Sequence, residues 1–307
     1  MLNRHKSHHT VIPEKLVIAV CCHFNEARLP YLDQISHEFS SLGSEVLVII
    51  VTNTKNSDEL KKLESVMTGK GYEFRFFIPD TLGHPLLLTW AHFPIFKDLL
   101  KDESFTHFMY LEDDTLITRQ NMSYWVEGRE LLRPYGLIPS FLRVEKKMND
   151  DQWFSSDCPH PFYLYVLPRV QVKENLGFIN FPELYQGMYL MDRELMFEHL
   201  NGPTYNPNSG VWGIQEKAAQ GVTFANVPKG FSTRNLVPYK LDTVQVDERC
   251  LIHHVPNNYA QPGPNGKIVA TAPVNQLLSK FPTKEFLEPK KLRKWLRHYL
   301  KKRFTRS

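Results

Sequence analysis

No uninterrupted apolar run in the 307 residues approaches the roughly 20 that a helix needs to cross a bilayer, so no transmembrane helix is expected. The opening MLNRHKSHHTVIPEK lacks the apolar core of a signal peptide, and export by that route is not expected either. The four cysteines, Cys21, Cys22, Cys158 and Cys250, contain no CxxC pair, which removes the usual spacing of a zinc site. Cys21 and Cys22 lie in an apolar run, where free cysteine behaves as a small hydrophobe, so reduced thiols and a cytoplasmic setting are expected. No repeat or low-complexity tract occurs. Acids are missing from Lys290 to Ser307, where nine Lys or Arg stand. The formal net charge of +4 therefore belongs to the tail, and residues 1–289 carry a net −5. An acidic body argues against nucleic acid as a partner.

What is present describes an ordinary globular chain: 42% hydrophobic, 12% aromatic and 23% charged, enough for one large domain or two modest ones. LVIAVCCHF (16–24) and EVLVIIVTN (45–53) are continuous apolar runs suited to strands covered on both faces. YEFRFFIP and FTHFMYLE read as a third and a fourth strand. Helical spacing runs through Leu32, Ile35 and Phe39 to Gly43, again over 58–68, and over 85–100 across Pro94. This alternation predicts an α/β fold with a Rossmann-type, mostly parallel sheet flanked by helices. Residues 1–15 read as an extension and 16–283 as one domain whose two halves are 16–118 and 119–283. The second half is richer in Pro, Gly and aromatics, with a helix around Arg193–Leu200, and is expected to complete the same sheet. Residues 284–307 read as a basic amphipathic helix, with Leu292, Trp295, Leu296, Tyr299 and Leu300 on one face. That pattern suits a peripheral membrane anchor, or a last helix packed on the body with its basic face in water.

Ligands of such sheets gather at the carboxyl ends of the strands. Three polar clusters fall there: His23-Phe24-Asn25-Glu26, Thr52-Asn53-Thr54 and Glu112-Asp113-Asp114. The last is bracketed by FMYL and TLIT, so three acids stand between two pieces of core. In an extended chain residues 112 and 114 point the same way. Two carboxylates on one side can share Mg²⁺ or Mn²⁺, whose other positions take phosphate oxygens.

FMYLEDDTLI resembles the DxD-type segment of GT-A-fold glycosyltransferases, with Glu at the first position. IAVCCHFNEARLPYLDQI resembles the first strand and helix of the large inverting group, and LVIIVTNTKNSD the second strand. YQGMYLMDRELMFEHLNG resembles the acceptor-side strand and helix, GVWGIQEKAAQGVTFANVPKG the segment with an acid at a helix start, and CLIHHVPNN the late histidine strand. The resemblance covers about residues 16 to 260 and implies a catalytic domain over 16–283, with a nucleotide-binding half (16–118) and an acceptor half (119–283). Two departures stand out: Gln215-Glu216 replaces an acidic pair, and Thr52, Asn53 and Thr54 replace the aspartates after the second strand.

The resemblance implies transfer of a sugar from a nucleotide-sugar donor, UDP-sugar favoured, to a glycan or glycolipid acceptor in surface glycan synthesis. It implies Glu112 and Asp114 as ligands of Mn²⁺ or Mg²⁺, with His253 or His254 as a further ligand. In a strand only one of the two histidines faces the acids, and His253 is the favoured one. Asn25, Glu26, Thr52, Asn53 and Asp113 would bind the nucleotide or donor sugar. Glu216 would be the general base of an inverting reaction, with Asp192 or Glu183 as substitutes, and Gln186, Gly187 and Trp212 would line the acceptor pocket. Each has a plainer reading. Asn25 and Glu26 make a helix cap with a first-turn acid. Glu216 suits a helix start, Trp212 suits a core, and two histidines near a strand end need no ligand. Retaining transfer on the same fold stays open. A sugar nucleotidyltransferase would want a glycine-rich loop where CCHFNEAR has none. A glycoside hydrolase would use two carboxylates without a nucleotide, and a glycan- or membrane-binding module would use the tail alone.

Overall fold

The computed structural model describes residues 11–158, 160–182, 184–210, 212–263 and 265–280. The basic segment 284–307 and Glu183 lie outside the described residues. In the first half β1 (Lys15–Cys22), α1 (Leu29–Ser36), β2 (Glu45–Thr52), α2 (Ser57–Met67), β3 (Glu73–Phe77), α3 (Phe93–Leu99) and β4 (His107–Glu112) alternate as the apolar periodicity predicts. The second half begins with β5 (Thr115–Leu116) and α4 (Arg119–Leu132), then β6 (Ile138–Pro139), β7 (Leu142–Lys146), β8 (Trp153–Ser155), β9 (Phe162–Tyr163), β10 (Arg169–Lys173) and β11 (Leu176–Ile179). It continues with β12 (Met188–Asp192), α5 (Arg193–Asn201), α6 (Ile214–Ala218), β13 (Asn235–Lys240), β14 (Gln245–Val246), β15 (Leu251–His254), β16 (Ala272–Pro273) and β17 (Leu278–Ser279).

The central sheet runs β12, β4, β1, β2, β3; β1 to β4 are parallel and β12 joins antiparallel at the edge. Leu16 to Val20 are fully buried, which is why β1 is apolar at every position rather than at alternate ones. The chain steps outward from β1 to β3 and then crosses back to place β4 on the other side of β1. The boundary between β1 and β4 is therefore the switch point of the sheet, the place beyond the carboxyl ends where such sheets take their ligands.

Two expectations are corrected. The helix expected over 85–100 is a 3-10 segment at Pro85–Trp90 followed by α3, because Pro94 has no N–H to donate and fits only a first turn. Of the second half only β12 completes the central sheet. The other strands build a sheet ordered β10, β11, β13, β14 with β6 on β13, another ordered β16, β8, β7, β15, β5, and a β17–β9 pair. Among the described residues no helix is long and apolar enough to cross a membrane.

Candidate functional site

Asp113 and Asp114 form the turn between β4 of the central sheet and β5, which pairs with β15. Because the chain turns there, the side-by-side placement expected of residues 112 and 114 does not occur. The neighbouring pair is 113 and 114, and one guanidinium holds both. Arg28 ends a single 3-10 turn (Glu26–Arg28) on the loop after β1. Its Nη2 donates to Asp114 Oδ2 at 2.7 Å and to Asp113 Oδ1, and its Nε donates to Asp113 Oδ2 at 3.3 Å. The acids are 4% and 6% exposed. Buried carboxylates persist as charges only when paired in this way.

Asp114 has a second cation. His254 Nε2 lies 3.3 Å from Asp114 Oδ2, and its Nδ1 contacts the fully buried carboxylate of Glu145. Glu145 also accepts from the Ala260 backbone N–H at 2.6 Å, and Tyr259 stacks on the imidazole at 5.1 Å. Burial works against the imidazolium, but the hydrogen bonds to Asp114 and Glu145 outweigh it and carry the His254 pKa up to about 9. Burial would likewise raise the Asp114 carboxyl; the hydrogen bonds and charges of His254 and Arg28 overcome it and hold the group at about 2. His253 faces the other side of β15, against Asn257 (3.0 Å) and the Trp153 ring. The structure thus brings His254, not the favoured His253, to the acids.

Glu112 points elsewhere. It accepts from the Tyr185 hydroxyl, while its backbone N–H donates to the Gly187 carbonyl at 3.1 Å. Gly187 has φ +65°, and a Cβ there would stand 2.8 Å from Glu112 Oε2, so this glycine is the space the carboxyl occupies. Burial, and after it the Asp114 charge, carry Glu112 up to about 7 against the Tyr185 hydrogen bond and the Arg143 charge. Arg143, also buried, pairs with Asp157 at 3.0 Å and lies over the rings of Tyr185 (4.8 Å) and Tyr259 (5.5 Å). Tyr185 meets Trp212 edge-on at 5.3 Å, and Trp212 packs on Phe224 at 5.2 Å, half-buried. Glu216 stands exposed in α6 with its carboxylate folded over Gly213, close enough for its charge to help keep the Tyr185 phenol protonated.

Other residues singled out in the sequence have local partners. Asn25 Oδ1 accepts from Ala27 N at 3.0 Å and caps the turn that carries Arg28. Glu26 pairs with Lys62 at 2.9 Å on the surface. Asn53 Oδ1 accepts from Phe24 N at 2.9 Å, tying the end of β2 to the loop after β1. Thr52 is fully buried, with no partner for its hydroxyl among the described residues. Gln186 is buried, where its side-chain oxygen accepts from Phe141 N at 2.7 Å. Asp192 lies opposite His107, about 17 Å along the strand from the acids. There it caps α5 through Leu195 N (2.9 Å) and pairs with Arg129 at 2.8 Å.

A divalent cation does not fit this arrangement as placed. Among the described residues no three His, Cys, Asp or Glu stand as a ligand set. Arg28 fills the space between the two aspartates, and Glu112 is turned to Tyr185. One acceptor stays open: Asp114 Oδ1 is buried and has no hydrogen-bond partner among the described residues. Arg28, Arg143, Glu145, Asp157, Tyr185 and Tyr259 were not among the expected residues. A signal existed for two of them, since Arg143 and Glu145 place charges at i and i+2 on the otherwise apolar Leu142–Val144 stretch. A groove of about 920 Å³ lined by Arg119, Glu127, Lys173, Phe178, Lys240 and Arg249 shares no residue with this cluster.

No protein-family model matches the chain, and no curated protein matches it. Among solved structures it is similar to the crystal structure of S. aureus TarS 1-349, with a TM-score of 0.35 and 12% identity over 68% of this chain. The chain spans 56% of that structure, and a likeness so distant leaves function to be argued from the site.

Proposed function

We propose that this chain is a GT-A-like glycosyltransferase that moves a sugar from a nucleotide-sugar donor to an acceptor hydroxyl. The observation that carries the reading is the buried Asp114 at the switch point of the sheet, fixed through one oxygen and left with a free acceptor, Oδ1, at the other. A buried oxygen without a donor is costly, and a ligand hydroxyl that fills it recovers that cost. The hydroxyl-rich donor sugar is such a ligand, and the ordered resemblance of residues 16 to 260 supports the same class.

The chemistry breaks the bond between the sugar C1 and the diphosphate oxygen and forms one between C1 and the acceptor oxygen. The bonding pair leaves with the diphosphate, and the acceptor proton must go to a base. Glu216 is the base in this reading: it is exposed, stands on a helix start, and lies near Tyr185 at the margin of the cluster. Inversion at C1 follows if acceptor and leaving group occupy opposite faces. Asp114 Oδ1 and the rings of Tyr185 and Trp212 would orient the donor sugar. The base and ribose would lie toward Thr52 and Asn53 at the end of β2.

The test is thermal unfolding with UDP, GDP and CDP, each in EDTA and in Mn²⁺. Saturation at about 100 times Kd adds about 2.7 kcal/mol of stability and a shift of several degrees for the right nucleotide. The shift should vanish in Asp114→Asn if the aspartate belongs to the site. Unfolding that no nucleotide alters would sink the reading.

A further inference from the structure

We infer that Arg28 is the resident cation of the Asp113–Asp114 pair, held in place of a divalent ion, and that it donates through its remaining Nη1 to the phosphates of the substrate. A metal bridging the two carboxylates would need their oxygens at about 2.0–2.6 Å. The Arg28 Nη2 lies against both carboxylates, so an ion and the guanidinium cannot share the place. The arrangement is built rather than incidental. Asn25 caps the turn that delivers Arg28, and Nε and Nη2 take three carboxylate contacts, two of them on Asp113. Asp113 cannot be approached by an ion without displacing a charge-assisted fork, and the Asp114 oxygen that faces it is already taken by Nη2.

Arg28 also meets the requirements of a phosphate donor. Its charge is permanent at any pH the fold survives. Its side chain is 36% exposed, while the acids behind it are almost wholly covered. Nη1 has no acceptor among the described residues, and the planar guanidinium that grips Asp113 suits phosphate oxygens as well. The carboxylates then serve as positioning residues for Arg28 rather than as metal ligands. Arg28 meets the charge that develops on the departing diphosphate, which is how fixed protein dipoles and cations lower such barriers. The phosphate role rests on the function proposed above; the exclusion of a divalent ion does not.

Calorimetry separates the two. Titration of the full chain with MnCl₂ alone should show no binding to the wild type up to millimolar concentration. Arg28→Met, checked for its fold by circular dichroism, should gain a Mn²⁺ site at least tenfold tighter. Arg28→Lys, which keeps a cation should the first variant fail to fold, should remain without one. In EDTA the nucleoside diphosphate that stabilises the wild type should bind, at least tenfold more weakly after Arg28→Met and with partial recovery in Arg28→Lys. Micromolar Mn²⁺ binding to the wild type that Asp114→Asn removes would overturn the inference. So would nucleotide binding that requires Mn²⁺, which would leave the glycosyltransferase reading intact. If Mn²⁺ behaves as expected but no nucleoside diphosphate binds under either condition, the resident cation stands and the phosphate role falls with the proposed function.

Discussion

His254 gives the clearest quantitative test, because it is a buried imidazolium between two carboxylates. Its folded pKa, about 9, lies above the ordinary value of 6.5. A group raised in this way stabilises the fold fully below pH 6.5, and that contribution disappears as pH rises through 9. At about 1.4 kcal/mol for each pH unit the interval amounts to about 3 kcal/mol. The side chain is 4% exposed, so solvent screening removes little of it. His254→Gln keeps a polar group of similar reach without a proton to lose. Urea unfolding of both proteins at pH 6 and pH 10 measures the difference directly. The wild type should lead the variant by about 3 kcal/mol more at pH 6 than at pH 10. A lead that does not change with pH would show that His254 is not held charged by Asp114 and Glu145, and the account of the cluster would fail with it.

Gly187→Ala places a methyl group against Glu112 at φ +65° and should cost about 1–2 kcal/mol of unfolding free energy, read from urea curves. Tyr185→Phe removes the donor that lowers the Glu112 pKa, so the Glu112 titration, followed by infrared carboxylate bands, should move up from about 7. Arg129→Leu leaves Asp192 buried without its main partner and should cost about 3–5 kcal/mol, read from the same urea curves. Asp192→Asn should lower stability while leaving kcat/KM of the folded fraction unchanged, because Asp192 lies at the opposite end of β4 from the site. Glu216→Gln should reduce kcat by about 10²–10⁴ without moving the melting temperature, if the exposed carboxylate is the general base.

The central sheet was legible because its strands are covered on both faces, and a strand so placed announces itself as an unbroken apolar run. β1 and β2 end one or two residues from where LVIAVCCHF and EVLVIIVTN place them. The acid cluster at the end of β4 was legible for the same reason: charge is conspicuous where an apolar run stops. Its geometry was not. The turn at Asp113 hands the chain to β5, whose partner β15 lies more than a hundred positions away. That same pairing sets His254 opposite Thr115 and so decides which histidine faces the acids. Arg28 escaped notice because an arginine in a helix-start loop reads as surface, and nothing local says that two carboxylates 85 and 86 positions on will meet it. The second half was hardest to read because β5, β6, β9, β14, β16 and β17 are two-residue strands, too short to show a period.

The order in which the cluster leaves the ribosome gives the Arg28 clasp a further consequence. Arg28, Asp113 and Asp114 all lie in the first 114 positions, whereas Glu145 and His254 come later. The parallel half can therefore close over its two aspartates with a countercharge of its own, before the strand that carries His254 exists. Two buried like charges left without a countercharge would oppose the closure of that half. A nascent chain with Arg28 in place has no bare acid pair to shelter, and its four parallel strands can pair without waiting for β15.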